Sequence, residues 1–254
     1  MTNSSRAPDR AEVLAYWNRE DVESMYDKHL LEREIALIRA RLPEGAKILD
    51  AGCGEGEGTA AYVRVPGARV HGVDFSETRL AKASERLRGV PNVELRRIDF
   101  LGDYELDRDY DAVVSQRFLI NLMEWELQAR VLTDLASRLR PGGLLLVLEG
   151  SAVGVAELNA FRGLFGLPPI PVKWHNLFFD DDVLVAHMKS VGCKLEEITG
   201  LGAYFLLTRG VRPNFDQDLS PESDFNRVAA TGAVEDALRL GDRYSRLKLW
   251  AFRK

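Results

Sequence analysis

Alternating glycines follow an acidic residue and a short apolar run near position 50. Ile48 and Leu49 are typical of the end of a buried strand, and Asp50 closes it. The glycines occupy every second position, at Gly52, Gly54, Gly56 and Gly58. Glycine reaches positive φ angles and lets a ligand approach the backbone closely. Because residues 59–64 suit a helix, the order strand, glycine loop, helix predicts a nucleotide-like ligand at a helix N-terminus.

Carboxylates accompany this loop. Glu55 and Glu57 lie within it, and Asp50 precedes it. The dinucleotide fingerprint G-x-G-x-x-G is absent, because the sixth position is not glycine whichever of the first two loop glycines begins the count. Three carboxylates would repel a pyrophosphate and attract a cationic ligand. S-adenosylmethionine carries a sulfonium, an ammonium and no phosphate, so it fits the loop better than NAD does.

The stretch resembles motif I of the class I S-adenosylmethionine-dependent methyltransferases, whose usual form is an apolar strand followed by D-x-G-x-G-x-G. The string L-R-P-G-G-L-L-L-V at residues 139–147 resembles the fifth-strand motif of the same family. The resemblance implies an α/β fold with a Rossmann-like, doubly wound sheet of seven strands, in the order 3-2-1-4-5-7-6 with strand 7 antiparallel. It covers residues 47–149 well and the chain from position 180 onward in outline.

We expect a single methyltransferase domain over residues 1–254. A helical N-terminal cap is predicted at 11–42, where apolar residues recur at helical spacing. The cofactor-binding core is predicted at 43–150. Segments 151–179 and 200–245 interrupt the alternation of strands and helices, and we expect these insertions to lie over the substrate side.

Further candidate cofactor contacts end the predicted second, third and fourth strands. Asp74, followed by Phe75, lies about 20 residues past the loop, where an acid can accept hydrogen bonds from ribose hydroxyls; capping of the next helix is the alternative. The resemblance places Asp99 at the adenine amine and Phe100 against the adenine ring, although Phe100 also suits the core. Gln116 is a candidate contact to cofactor or substrate.

Aromatic residues mark the predicted cap. A helical segment before motif I resembles the cap of many small-molecule methyltransferases, which closes over the cofactor. Tyr16 and Trp17 could therefore stack on adenine or face the sulfonium in a cation–π contact. Packing of the cap helix explains them equally well.

A base for the reaction is sought in the first insertion. A hydroxyl nucleophile must lose its proton, and histidine is the natural base near neutral pH. His175 follows a proline-rich stretch, and we expect it to act as the base; a structural loop histidine is the alternative. Trp174 would form a wall of the acceptor pocket, and Asn176 would orient the imidazole or bind the acceptor. Glu149, at the end of the predicted fifth strand, is the second candidate base, with helix capping as its alternative.

Other residues are candidates for contacts to the acceptor. Arg117 follows the predicted fourth strand, whereas Tyr204 and Arg209 belong to the second insertion. The sequence leaves open whether Arg117, Lys173, Arg209 and Arg212 converge on an anionic acceptor.

Composition excludes several classes of function. The net charge of −5 argues against a nucleic-acid binder with a basic face. No run of about 18 apolar residues predicts a membrane span. The two cysteines show no metal or disulfide pattern, which favours the reducing cytoplasm. Asp180, Asp181 and Asp182 are consecutive and would point in different directions on a helix, so we expect no metal site.

These observations together predict transfer of a methyl group from S-adenosylmethionine to a small-molecule acceptor by in-line displacement. The favoured acceptor is a hydroxyl of a sugar, a glycan precursor or a secondary metabolite. An N- or carboxyl-methyltransferase on the same fold and a non-catalytic S-adenosylmethionine-binding domain are the alternatives. A homodimer is left open.

Overall fold

The computed structural model describes residues 10–23 and 25–254. Its strands form one sheet and are β1 (Lys47–Ala51), β2 (Arg69–Asp74), β3 (Val93–Arg97), β4 (Tyr110–Gln116), β5 (Leu139–Gly150), β6 (Lys194–Gly200) and β7 (Leu247–Arg253). Their spatial order is β3-β2-β1-β4-β5-β7-β6. Strand β7 pairs antiparallel with β5 and β6, and the other pairings are parallel. The predicted fold class is confirmed.

Helices flank the sheet on both faces. They are α1 (Arg10–Trp17), α2 (Lys28–Arg39), α3 (Glu57–Tyr62), α4 (Glu77–Arg86), α5 (Trp125–Arg138), α6 (Ala152–Leu164), α7 (Asp181–Ser190), α8 (Gly202–Phe205), α9 (Asp224–Ala229) and α10 (Gly232–Leu238). Helix α8 continues as a π-helix at Leu206–Val211. Short 3-10 helices lie at Leu119–Asn121 and Arg212–Asn214. No helix among the described residues is long and apolar enough to cross a membrane.

Two hydrophobic clusters cover the two faces of the sheet. Successive strand residues point to opposite faces, so Ile48 belongs to one cluster and its neighbour Leu49 to the other. The apolar run Leu144–Leu148 of β5 is buried throughout, as expected for a strand covered on both faces. Burying each such side chain contributes roughly 1.5–3 kcal/mol, which holds β5 in the interior of the sheet.

Two helices begin at side chains that cap their first amides. The Ser76 hydroxyl accepts a hydrogen bond from the Arg79 amide at the start of α4. The Asp180 carboxylate accepts from the amides of Asp182 and Val183 at the start of α7. These caps satisfy amide groups that a helix N-terminus leaves without partners.

The Pro-Gly-Gly triplet at 141–143, which suggests a turn, instead lies within β5. The pairing between β4 and β5 shifts there, from Tyr110 opposite Leu139 to Ala112 opposite Leu144. Gly142 adopts a φ of +77°, a value that favours glycine. The triplet therefore forms an irregularity of the strand.

Candidate functional site

A cavity of about 640 Å³ lies at the carboxyl ends of the strands. Its lining includes Gly52 and Gly54 from the loop after β1, and Trp17 from α1. Lys173 lines it from the segment between α6 and α7, and Arg209 lines it from the π-helix. The cavity therefore joins the glycine loop to both segments that were predicted to be insertions.

The glycine loop passes beneath the cavity in a conformation that few other residues adopt. Gly52 has a φ of +73°, and a Cβ there would come within 2.4 Å of the Phe118 Cβ. Gly54 also lines the cavity, and a Cβ at this position would meet nothing within 4 Å. Gly56 lies outside the cavity lining: it is buried, and a Cβ there would meet Ala83 of α4 at 3.1 Å. Gly56 therefore shapes the loop and does not border the cavity.

Asp50 is a buried carboxyl group at the base of the cavity. It accepts a hydrogen bond of 2.6 Å from the Thr59 hydroxyl. Burial raises the pKa of Asp50 to about 7. Asp50 thus joins the end of β1 to α3 across the glycine loop.

Asp74 lines the same cavity from the end of β2. Its Oδ2 accepts from the Gly54 amide and its Oδ1 from the Ser76 amide, both at 2.9 Å. Burial raises the pKa of the Asp74 carboxyl. The carboxylate therefore fixes the glycine loop and the start of α4, and each oxygen keeps a lone pair for a further donor.

Asp99 and Phe100 line the cavity just after β3. The Asp99 carboxylate pairs with the Arg10 guanidinium of α1 and accepts from the Leu101 amide at 3.0 Å. The Phe100 ring packs against Phe118 with their centroids 5.3 Å apart. Phe75 also belongs to the lining. Cap and core thus meet at the position where the resemblance expects the adenine.

A polar chain connects Gln116 to the cap. The Tyr62 hydroxyl donates to Gln116 Oε1 at 3.0 Å, and Gln116 Nε2 donates to Glu34 Oε2 at 2.8 Å. Glu34, on α2, is fully buried, and burial raises its pKa. Arg117 Nε lies 3.1 Å from the same Glu34 oxygen. Both Gln116 and Arg117 line the cavity. Glu34 was not predicted as a site residue, because it lies within an ordinary helical pattern.

His175 lines the cavity and is only 3% exposed. Its Nδ1 is buried without a hydrogen-bond partner. The ring packs against Tyr16 and Trp17 of α1, with centroid distances of 4.6 and 5.2 Å. Burial, together with the charge of Lys173, lowers the pKa of His175 to about 4, so the imidazole is neutral near pH 7.

The aromatic neighbours of His175 occupy different places. Trp17 lines the cavity and donates from Nε1 to Asn121 at 3.1 Å. Asn176 lines it as well. Tyr16 lies outside the lining and packs edge-on to Trp174 at 5.3 Å. Trp174 also lies outside the lining and is 51% exposed, so the expectation that it forms a wall of the acceptor pocket is not met.

Glu149 does not face the cavity, contrary to expectation. It is fully buried. Its Oε1 accepts from the Ser115 hydroxyl at 2.6 Å and from the amides of Phe118 and Leu119 at 3.0 and 2.9 Å. Its Oε2 accepts from the Ile120 amide at 3.3 Å. Although burial raises the pKa of Glu149 to about 7, the side chain binds the backbone after β4 and lies outside the cavity lining.

Tyr204 is likewise turned away from the cavity. Its hydroxyl lies 2.7 Å from both carboxylate oxygens of Asp27, and the side chain is 1% exposed. Arg209 Nη2 donates to the same carboxylate at 2.7 Å and also lines the cavity. The predicted acceptor contact at Tyr204 is therefore corrected to a link between α2 and the second insertion.

Two comparisons with sequences agree with this geometry. Residues 48–143 match the family model described as a methyltransferase domain. The chain is 28% identical to a demethylmenaquinone methyltransferase of Geobacillus stearothermophilus over 60% of its length and 64% of that protein's. It is 27% identical to the O-methyltransferase rstn1 of Aspergillus nomiae over 80% of its length and 87% of that protein's. The chain thus spans under two thirds of the bacterial relative.

A comparison with solved structures gives the same fold. The magnesium protoporphyrin IX methyltransferase of Synechocystis PCC 6803, solved with bound S-adenosylhomocysteine, is similar with a TM-score of 0.61 at 15% sequence identity. The match covers 97% of this chain and 100% of that one.

Proposed function

We propose that the chain is a class I S-adenosylmethionine-dependent methyltransferase, as its methyltransferase-domain match over residues 48–143 and its sheet order indicate, and that it methylates a hydroxyl group of a small molecule. The observation that carries this proposal is the placement of His175. A neutral imidazole with an unpartnered nitrogen lines the same cavity as the glycine loop and Asp74. The similarity to a fungal O-methyltransferase over 80% of the chain supports the same acceptor chemistry.

The residues around the glycine loop fit the proposed cofactor. Asp50, Glu55, Asp74 and Asp99 all line that part of the cavity. Glu55 and Asp99 pair with Arg79 and Arg10, so Asp50 and Asp74 are the carboxyl groups that suit a ligand with a sulfonium and an ammonium group. Asp74 would accept from the ribose hydroxyls, and Phe100 would lie against the adenine. Bound S-adenosylmethionine supplies an electrophilic methyl group on a positively charged sulfur.

The protein contributes chiefly alignment and proton transfer. Displacement at a methyl group needs the nucleophile in line with the leaving sulfur, and well-oriented pairs gain about 7–11 kcal/mol from alignment. Trp17 and Tyr16 hold the His175 ring by contact, so its position is set by α1. We propose that the His175 imidazole takes the proton of the acceptor hydroxyl, directly or through one water.

The test uses S-adenosylmethionine with a labelled methyl group and a panel of phenols, sugars, amines and carboxylic acids. We expect label on a hydroxyl oxygen. His175→Ala should then lower turnover by about 10²–10⁴-fold and leave the affinity for S-adenosylhomocysteine unchanged.

His187→Ala is the matched control, because His187 lies on α7 and is bound to Thr133 and the Ala129 carbonyl outside the cavity. Labelling of amines or carboxylates alone would contradict the hydroxyl assignment. If His175→Ala retains full turnover, His175 is not the base.

A further inference from the structure

The charged residues that line the cavity are sorted by strand. Most of the acidic ones follow β1, β2 and β3, on one half of the sheet, where Arg10 and Arg79 also line the cavity and pair with Asp99 and Glu55. Basic residues line the other half, near the ends of β4, β5 and β7: they are Arg117, Arg162, Lys173, Arg209 and Arg246. The cavity therefore has an excess of acidic groups at the proposed cofactor end and an excess of basic groups at the end formed by the insertions, where Asp27 pairs with Arg209.

Only part of this basic charge is balanced. Arg209 pairs with Asp27 at 2.7 Å and Arg117 with Glu34 at 3.1 Å. Arg162 donates to the carbonyl oxygen of Pro168. Each of these three guanidinium groups thus has an acceptor within the protein.

Arg246 and Lys173 have no carboxylate or carbonyl acceptor for their side-chain cations among the described residues. The Arg246 guanidinium lies over the Phe178 ring at 5.4 Å, and Lys173 Nζ lies 5.6 Å from the centroid of Tyr26. Neither side chain forms an ion pair or a side-chain hydrogen bond with any residue in the described part of the chain. The face of an aromatic ring stabilises a cation far less than a carboxylate does.

These cations also repel one another. Burial, then the charges of Arg209 and Arg117, lower the pKa of Arg246 to about 10. Burial, then the charges of Arg246 and Arg117, lower the pKa of Lys173. Like charges held together without a counterion destabilise one another, and an anion between them would reverse the sign of that interaction.

We propose that Arg246 and Lys173, with Arg117 and Arg209 behind them, bind the anionic group of the methyl acceptor, which is a small organic acid. The rest of the acceptor would lie against the apolar part of the lining, which includes Ile170, Phe178 and Phe205. Lys173 and His175 are two residues apart on one loop, so the anionic group and the reacting hydroxyl lie on the same molecule. This inference rests on the proposed function and names its substrate class.

The experiment compares two probes of equal shape, 2-naphthoate and 2-naphthamide. Each is titrated by calorimetry into protein saturated with S-adenosylhomocysteine. The carboxylate should bind about 10–100-fold more tightly than the amide, because hydrogen bonds to a charged group contribute about 1.5–3 kcal/mol. The readout needs no methyl transfer, so it is independent of whether a hydroxyl is the acceptor.

Variants assign the preference to the proposed residues. Arg246→Met should remove most of the preference for the carboxylate over the amide, and Arg246→Lys should retain part of it. Lys173→Met should reduce the preference several-fold, and loss of this side chain leaves the core intact. Arg64→Met is the matched control, since Arg64 is exposed and outside the lining. Unchanged affinity for S-adenosylhomocysteine verifies folding of each variant.

Equal binding of the two probes, or binding of neither, would overturn the proposal. The same holds if Arg246→Met and Lys173→Met leave the preference intact. Failure of S-adenosylhomocysteine itself to bind would instead count against the proposed function.

Discussion

At the residue scale, the acids at the carboxyl ends of β2 and β5 show that backbone amides can occupy a carboxylate. Asp74 accepts from the amides of Gly54 and Ser76. Glu149 accepts from the three consecutive amides of residues 118–120. The difference is the number of donors. Asp74 has two amide donors and lines the cavity, whereas Glu149 has more donors, is fully buried and lies outside the lining.

Replacing Asp74 by alanine should weaken the binding of S-adenosylhomocysteine by about 1.5–3 kcal/mol, the contribution of charge-assisted hydrogen bonds. Part of this loss would come from the glycine loop, which loses the acceptor of its Gly54 amide. Calorimetric titration measures the affinity. Asp103→Ala serves as control, because Asp103 is exposed and lies outside the lining. An unchanged affinity in Asp74→Ala would exclude Asp74 from the site.

His175 should give a specific dependence of stability on pH. Its folded-state pKa of about 4 lies below the ordinary value of 6.5, so the unfolded state binds more protons between these values. Stability contributed by the neutral ring is therefore present above pH 6.5 and is lost as the pH falls towards 4.

The corresponding measurement is urea unfolding at pH 7 and at pH 5. Wild type should lose stability relative to His175→Gln over this interval, because only the wild-type side chain titrates. If both proteins lose the same amount, His175 is not held neutral in the folded state.

At the element scale, the cap and the second insertion are joined through one buried carboxylate. Asp27 caps α2 by accepting from the Leu30 amide. It also accepts from Tyr204 and Arg209. One side chain thus ties α2 to α8 and the π-helix, and these elements border the cavity together.

Asp27→Ala should destabilise the protein by about 3 kcal/mol, since it removes a cap and breaks a buried ion pair. Urea unfolding monitored by circular dichroism gives the value. Ser223→Ala removes only the cap of α9, so it should cost about 1 kcal/mol. Equal losses in the two variants would show that the link to Tyr204 and Arg209 contributes nothing.

The sequence predicted the elements whose pattern is local. Strands β1, β2 and β4 follow from apolar runs closed by polar residues, and the glycine loop follows from its spacing. It did not predict the helix α6 at Ala152–Leu164, which lies in a segment expected to be irregular. The hydrogen bond of Tyr204 to Asp27 was not predicted either, because the two residues are remote in sequence and only the tertiary fold brings them together.

At the scale of the whole molecule, the order of the sheet produces the polarity of the cavity. Acids follow β1, β2 and β3, and the insertions after β5 and β6 bring cations to the opposite half. Arg246 was missed in the sequence because an arginine before a β-strand is common and gives no signal. The proposed anion-binding role of Arg246 depends on Arg117 and Lys173, which lie on other parts of the chain.

The described residues contain no cluster of three or more His, Cys, Asp or Glu side chains able to hold a metal ion. Asp181 bonds to Ser151 and Lys248, and Asp180 caps α7. We therefore expect methyl transfer to continue in the presence of a chelator, as measured with EDTA at a concentration above that of the protein. Loss of turnover with recovery on added magnesium would refute this prediction.

The glycine loop, Asp74 and Asp99 form the proposed site for S-adenosylmethionine, and calorimetric titration of the wild-type protein measures whether the cofactor binds. S-adenosylmethionine and S-adenosylhomocysteine should each bind with a dissociation constant in the micromolar range, about −8 kcal/mol. NADH should give no heat of binding, because its pyrophosphate would face the carboxylates of the loop. Tight binding of NADH without any response to S-adenosylmethionine would rule out this cofactor assignment.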